Sequence, residues 1–277
     1  MSTDTALCTG GFETAVGEVV LSRCGSGEGL VYLHSAAGED ALLVGPFLEA
    51  LSGFEVAAPM FPGFAGSAGL DAIDDIEDAA YHCLDLFDRL GFGPDSPPHV
   101  VGLSLGGWMA AEVATRFPGR VRTLTLVNAA GLYLEGAPIG EIFGRKFDEL
   151  ADEIYADKTH PVYLMAKELG AMSIKDVAAM PFEVLRPFYE AQAATAKLGW
   201  NPYLHNPKLH RRLGWVTAPT LVVAGAMDGL IPLAHAEAYA AGIPGARLEV
   251  IEGAGHMLPL ERPVELATLV AEFVAGR

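Results

Sequence analysis

One serine in this chain is flanked in a way that suits nucleophilic chemistry. Gly102-Leu103-Ser104-Leu105-Gly106 lies between a short apolar run, His99 to Leu103, and a helix-like run, Leu105 to Phe117. Gly-x-Ser-x-Gly at a strand-to-helix turn is the pattern of a nucleophile elbow. A serine on so sharp a turn has strained dihedrals, and side chains two residues either side would collide. Gly102 and Gly106 remove those side chains, and Gly107 lets the helix lie close to the sheet. The turn also aims the N–H of Leu105 where an oxyanion could be held. A serine alone is inert, so the pattern demands a base and an acid elsewhere.

Two later stretches supply both. Asp228 follows the apolar run Thr220 to Ala224, and His256 follows Arg247 to Glu252. Taken singly, Asp228 before Gly229 is a turn residue and His256 between glycine-rich neighbours is a loop residue. Taken together, three required groups stand just past three strand ends in the order Ser, Asp, His, which suits a triad on a doubly covered sheet. His256 would take the proton of Ser104, and Asp228 would hold the imidazole tautomer. Asn128 ends another strand where an acid could sit. It is not an acid, which favours Asp228.

The elements that must carry these groups alternate. Strands are expected at Phe12–Val16 and Glu18–Cys24 (joined at Gly17), Leu30–His34, Phe54–Ala58, His99–Leu103, Val121–Val127, Thr220–Ala224 and Arg247–Glu252. Helices are expected at about Asp40–Leu51, Asp71–Leu90, Leu105–Phe117, Leu233–Ala241 and Pro263–Ala275. Ile73, Ile76, Ala80, Cys83, Leu84 and Phe87 mark the second of these at helical spacing. Such alternation predicts an α/β fold with a mainly parallel, doubly covered sheet, whose ligands bind at the carboxyl ends of the strands.

From about Pro138 to Leu213 the periodicity is helical throughout. One stripe is Phe143, Phe147, Leu150 and Ile154, and a second is Val162, Met165, Ala166 and Leu169. Pro181 opens a third helix that Gly199 closes. This block interrupts the sheet after its sixth strand, so it should fold over the catalytic edge as a cap. The expected domains are a core of residues 1–137 and 214–277 and a helical cap of 138–213.

The 277 residues and 51% hydrophobic content fit a folded α/β domain with an insertion. A net charge of −17 repels phosphate backbones and anionic lipid, so neither nucleic acid nor membrane is an expected partner. Met1 to Val16 lacks a basic region followed by an apolar stretch, which makes the cytoplasm the default compartment. Cys8, Cys24 and Cys83 lack metal-type spacing and read as reduced thiols.

The sequence resembles the α/β-hydrolase fold, in its capped group of esterases, lactonases and carbon–carbon bond hydrolases. The resemblance rests on Gly-Leu-Ser-Leu-Gly-Gly at 102–107, Gly-Ala-Met-Asp-Gly-Leu-Ile-Pro at 225–232 and Gly-Ala-Gly-His-Met-Leu-Pro-Leu-Glu-Arg-Pro at 253–263. The turn-rich segment from Phe61 to Ser67 is similar to the family's turn after its fourth strand. The resemblance implies that the second oxyanion amide is that of Ala36. Relatives usually carry His-Gly where this chain has His34-Ser35, so Ser35 either narrows that loop or adds a hydroxyl donor. Met60 stands where relatives commonly carry Asp, a change with a structural reading.

A serine nucleophile argues against relatives that use an aspartate. Carbon–carbon hydrolases often follow the catalytic histidine with tryptophan, and here Met257 follows. The expected activity is therefore hydrolysis of a small carboxylic ester or lactone through an acyl-enzyme, with no metal or organic cofactor required. Carbon–carbon cleavage, acyl transfer or cyclisation, and ligand binding without catalysis stay open on the same fold. His34, Ser35, Phe143, Tyr163, Phe188 and Trp200 are the candidates for a pocket that takes an apolar or aromatic small molecule. Trp108 is expected under the elbow, Arg186 in an ion pair with Glu183 or Glu190, and His205 and His210 without a metal.

Overall fold

A computed structural model describes residues 6–277. The first five residues of the Met1–Val16 stretch read for a leader lie outside the described residues. The strands are β1 (Cys8–Thr14), β2 (Gly17–Cys24), β3 (Gly29–Leu33), β4 (Glu55–Pro59), β5 (His99–Leu103), β6 (Thr123–Val127), β7 (Thr220–Gly225) and β8 (Arg247–Ile251). They form one eight-stranded sheet in the order β1-β2-β4-β3-β5-β6-β7-β8. β2 pairs antiparallel with β1 and β4, and every pair from β4 to β8 is parallel.

Both faces of the sheet are covered, which is why β5 and β6 are buried at every position along the strand. Alternate residues serve opposite faces. Val31, Val100 and Val222 point into a core with Phe87, Trp108 and Tyr239. Tyr32, Val101 and Val223 point into a second core with Phe47, Leu266 and Phe273. The helices α2 (Ile76–Arg89), α3 (Leu105–Arg116) and α9 (Leu233–Gly242) cover the first face. The helices α1 (Ala41–Ala50), α10 (Leu258–Glu261) and α11 (Pro263–Ala275) cover the second. Each buried Leu, Val or Phe stabilises the fold by about 1.5–3 kcal/mol of transfer free energy.

The segment between β6 and β7 holds α4 (Phe147–Ile154), α5 (Pro161–Ala171), α6 (Ile174–Ala178), α7 (Phe182–Gly199) and α8 (Leu209–Arg212). Pro181 is the N-cap of α7 and Gly199 its last residue, as the punctuation of the sequence implied. No helix among the described residues is long and apolar enough to cross a membrane.

Local chemistry moved several boundaries. The first hairpin turns at Ala15–Val16, not Gly17, because Gly17 pairs with Thr14 as the first residue of β2. The helix expected from Asp71 begins only at Ile76. Asp75 takes an extended conformation and its carboxylate accepts from the N–H groups of Glu77 and Asp78, which makes it the cap. Phe143 precedes α4 rather than belonging to it. The short helices α6, α8 and α10 carry too few turns to register as a period.

Candidate active site

Ser104 is the N-cap of α3, with φ 54° and ψ −111°. Its N–H donates to Val127 O at 2.9 Å and its carbonyl accepts from Trp108 and Ala130, so the strained turn is held from both sides. A Cβ on Gly106 would stand 2.1 Å from Leu33 O, and one on Gly102 would stand 2.4 Å from Gly106 O. Both positions therefore require glycine by close approach of backbone. Trp108 is buried beneath the elbow, and its indole N–H donates to Glu112 Oε1 at 3.1 Å.

Asp228 and His256 meet. Asp228 Oδ2 lies 2.7 Å from His256 Nδ1. The other carboxylate oxygen, Oδ1, accepts from the N–H groups of Leu230 and Ile231 at 2.8 and 2.9 Å, so its orientation is fixed by its own loop. His256 is buried, at 3% exposure, and lines one cavity with Ser104. Among the described residues the Ser104 hydroxyl makes no hydrogen bond.

Three residues whose roles motif reading missed hold these loops. Asn128 is buried, with φ 41°, at the strand end where an acid could sit. Its amide donates to the carbonyls of His256 and Gly255 at 2.8 and 3.2 Å and accepts from Gly225 N–H at 3.0 Å. It thus ties the end of β7 to the histidine loop. Glu261 accepts from Gly255 N–H at 2.8 Å with one oxygen and from Ala156 and Asp157 N–H with the other. The last turn of α4 completes the link, because Glu153 O accepts from Gly229 N–H and Ile154 O from His256 N–H, at 3.0 and 2.7 Å. The inserted helices are bonded directly to both loops that carry the acid and the base.

Glu39 is the third. It is 2% exposed and sits under the loop after β3. Its carboxylate accepts from Ser35 N–H and Tyr32 O–H, both at 2.8 Å, and from Ser35 O–H at 2.6 Å. The Ser35 hydroxyl is thereby committed to Glu39 and is not a free oxyanion donor, although Ser35 does line the cavity. The local signal for Glu39 is a carboxylate six residues past the end of a buried strand, which looks like any solvated charge.

His34 corrects an expectation. It is not a pocket residue. Its Nδ1–H donates to Ser35 O at 2.7 Å and its Nε2 accepts from Phe61 N–H at 2.9 Å, so the ring joins two loops. Burial pushes its pKa below the usual imidazole value, opposed by the Glu39 charge and the bond to Ser35. A neutral ring fits that bonding, since only one nitrogen donates. Burial, reinforced by Glu39, holds the Tyr32 phenol well above its ordinary value.

The cavity measures about 280 Å³. It is lined by Ser35, Ala36, Glu39, Ser104, Leu105 and His256, by Gln192, and by apolar side chains that include Ile142, Phe147, Leu150, Ile154, Val162, Met165, Leu169 and Phe188. Tyr155 also lines it, its phenol raised by burial and by the Glu39 and Glu261 charges. Glu39 is the one carboxylate, and no Lys or Arg occurs among the described lining residues. Of the aromatic candidates, Phe188 lines the cavity. Phe143, Tyr163 and Trp200 do not. Phe143 packs on Trp200 and Tyr203, Tyr163 donates to Asp152, and Trp200 is 63% exposed. The apolar stripes of α4 and α5 line the cavity where those aromatics were expected, because each stripe is continuous along its helix.

The remaining candidates lie apart. Arg186 pairs with Glu183 at 3.4 Å. His205 Nδ1 meets Tyr203 O at 2.8 Å, and His205 and His210 line an outer groove of about 500 Å³ that contains neither Ser104 nor His256.

A family model described as the alpha/beta hydrolase family matches residues 30–269. The chain is 27% identical over 270 residues to a 2-hydroxy-6-oxo-6-phenylhexa-2,4-dienoate hydrolase of Comamonas testosteroni, covering 92% of this chain and 91% of that one. It is 25% identical over 191 residues to a monoacylglycerol lipase of Bos taurus, covering 65% of this chain and 55% of that protein. The chain therefore spans about half the length of that lipase. Among solved structures it superposes on a dienoate hydrolase from Rhodococcus sp. strain RHA1 with a TM-score of 0.78 and 23% identity, covering 97% of this chain and 99% of that one. It superposes on a naproxen esterase from Bacillus subtilis with a TM-score of 0.73 and 21% identity, covering 98% and 92%. At these identities the superpositions speak for the fold.

Proposed function

The chain belongs to the alpha/beta hydrolase family, and on that premise we propose that it hydrolyses small, uncharged carboxylic esters or lactones through an acyl-enzyme on Ser104. The observation that carries this reading is the Asp228–His256 pair at 2.7 Å, with His256 lining the same cavity as the elbow serine. In the proposed reaction Ser104 Oγ attacks the carbonyl carbon while His256 Nε2 takes its proton. Asp228 stabilises the resulting imidazolium and holds Nδ1–H toward itself. The N–H groups of Leu105 and Ala36 receive the oxyanion. His256 then protonates the leaving alkoxide, and water, deprotonated by the same ring, attacks the acyl-enzyme and releases the acid.

The lining supports the substrate class. A dienoate, the substrate named for two of the relatives, carries a carboxylate. Here a carboxylate would enter a largely apolar cavity lined by Glu39, with no cationic side chain among the described lining residues to meet it. Desolvating an unpaired carboxylate costs several kcal/mol. An uncharged acyl group on an apolar body avoids that cost and fits the walls.

The test is incubation with a fluorophosphonate and a panel of p-nitrophenyl esters, uncharged and carboxylate-bearing, with S104A as control. The expected result is a label on Ser104 and turnover of the uncharged esters, both absent in S104A. A label without turnover would favour acyl transfer. Absence of both, or preference for carboxylate-bearing substrates, would overturn the reading.

A further inference from the structure

The peptide that would offer the second oxyanion N–H is braced from below by Glu39. Its N–H belongs to Ala36 and its carbonyl to Ser35. The carbonyl is fixed by two donors, His34 Nδ1–H at 2.7 Å and Gly38 N–H at 3.1 Å. The bond is trans, so the Ala36 N–H points opposite to that carbonyl. Among the described residues the Ala36 N–H has no partner, and Ala36 lines the cavity with Ser104 and Leu105. One end of the unit is thus anchored, and what remains is the freedom of Ser35 itself.

Glu39 removes that freedom. It accepts both the N–H and the O–H of Ser35, and Ser35 Oγ in turn accepts from Ala37 N–H at 3.1 Å. The third bond, from Tyr32 O–H, fixes the carboxylate to the penultimate residue of β3. A carboxylate suits this place because it accepts from all three donors and need donate to none. At position 35 this chain has a hydroxyl, and a buried acid captures it.

We propose that Glu39 is a positioning residue, which acts through Ser35 to aim the Ala36 N–H at the developing oxyanion. The inference rests on the ester-hydrolase reading above. Its electrostatic consequence runs the other way: a negative charge this close to an oxyanion opposes it. Removing Glu39 therefore separates the two roles. Loss of positioning slows the chemical step, whereas mere relief of repulsion quickens it.

The experiment compares wild type, E39A, E39Q and S35A on an uncharged p-nitrophenyl ester, with the inhibition constant of an arylboronic acid measured alongside. The boronate becomes tetrahedral on the serine and reads the oxyanion site. Misplacing one catalytic donor by a fraction of an ångström to an ångström costs up to about 100-fold. E39A is expected to lower kcat about 10- to 100-fold, change KM less than about threefold, and weaken the boronate in step with kcat. E39Q keeps one acceptor and recovers part of kcat. If E39A does not fold, S35A removes only the hydroxyl arm and is expected to show the same split at a smaller size. Unchanged or raised kcat in folded E39A or S35A would overturn the proposal while wild-type turnover leaves the hydrolase reading standing. Wild type with neither turnover nor a labelled Ser104 would remove both.

Discussion

The strand-end loops and the inserted helices meet at one cavity but are built on opposite terms. The loops carry Ser104, Asp228, His256 and the Ala36 peptide, and nearly every polar group in them has a named partner. Asn128 alone makes three bonds to the acid and histidine loops. The helices give the cavity aliphatic walls, and much of their outer surface is apolar and exposed, as at Ile174, Phe182 and Tyr189. Hydrogen bonds fix direction, and apolar contact fixes only volume. The loops should therefore tolerate almost no change, and the walls should tolerate exchange of one apolar side chain for another.

The sharpest way to break this contrast is D228N. Asn keeps the oxygen that accepts from Leu230 and Ile231, so the loop should survive. It presents an N–H group to His256 Nδ1 and enforces the wrong tautomer. The expected loss is about 10⁴-fold in kcat with an unchanged melting temperature, read by steady-state kinetics and calorimetry. A loss below about tenfold would mean that the pair does not serve the base.

Next in size is N128A. It strands two carbonyls and one N–H in the interior, at a cost of about 3 kcal/mol in stability. Urea unfolding should show this, together with a fall in kcat larger than the change in KM. A variant as stable as wild type would mean that the two loops hold themselves.

A third test uses pH. His82 is buried against Phe61 and its nitrogens have no partner among the described residues. Burial lowers its pKa from 6.5 to about 4. The unfolded chain therefore binds this proton from about pH 6.5 downward while the folded chain does not, and stability falls with pH across that window. From pH 7 to pH 5 the loss should be about 2 kcal/mol. H82F should flatten that limb in unfolding curves taken at each pH. An unchanged slope would assign it to other groups.

The smallest effect belongs to the walls. F188A enlarges the cavity near its outer side, where Phe188 is 36% exposed. KM is expected to shift a few-fold toward longer acyl chains, with kcat on short esters nearly constant, because one apolar group changes substrate binding by about 1–3 kcal/mol at most. A large fall in kcat on all esters would show that the helices position the chemistry, through the carbonyls of Glu153 and Ile154, more than they shape the pocket.

Sequence alone determined the elbow, the alternation of strands and helices, the place of the insertion, and the candidate acid and base. Those features are local: a glycine two residues from a serine, or an apolar run ahead of a polar loop, constrains the backbone wherever it lies. Tertiary structure alone decided which side chains serve these groups. Glu39 and Glu261 are two carboxylates in a chain of 35 Asp and Glu, and nothing in their neighbours marks them for burial. Asn128 reaches residues 97 and 128 positions away only because β6 lies beside β7 and the histidine loop folds back over them. Phe143 and Trp200 are as aromatic as Phe188, and only the packing of α4, α5 and α7 determines which of the three faces the cavity. Periodicity tells that a helix has an apolar side; what that side meets depends on every other element having found its place.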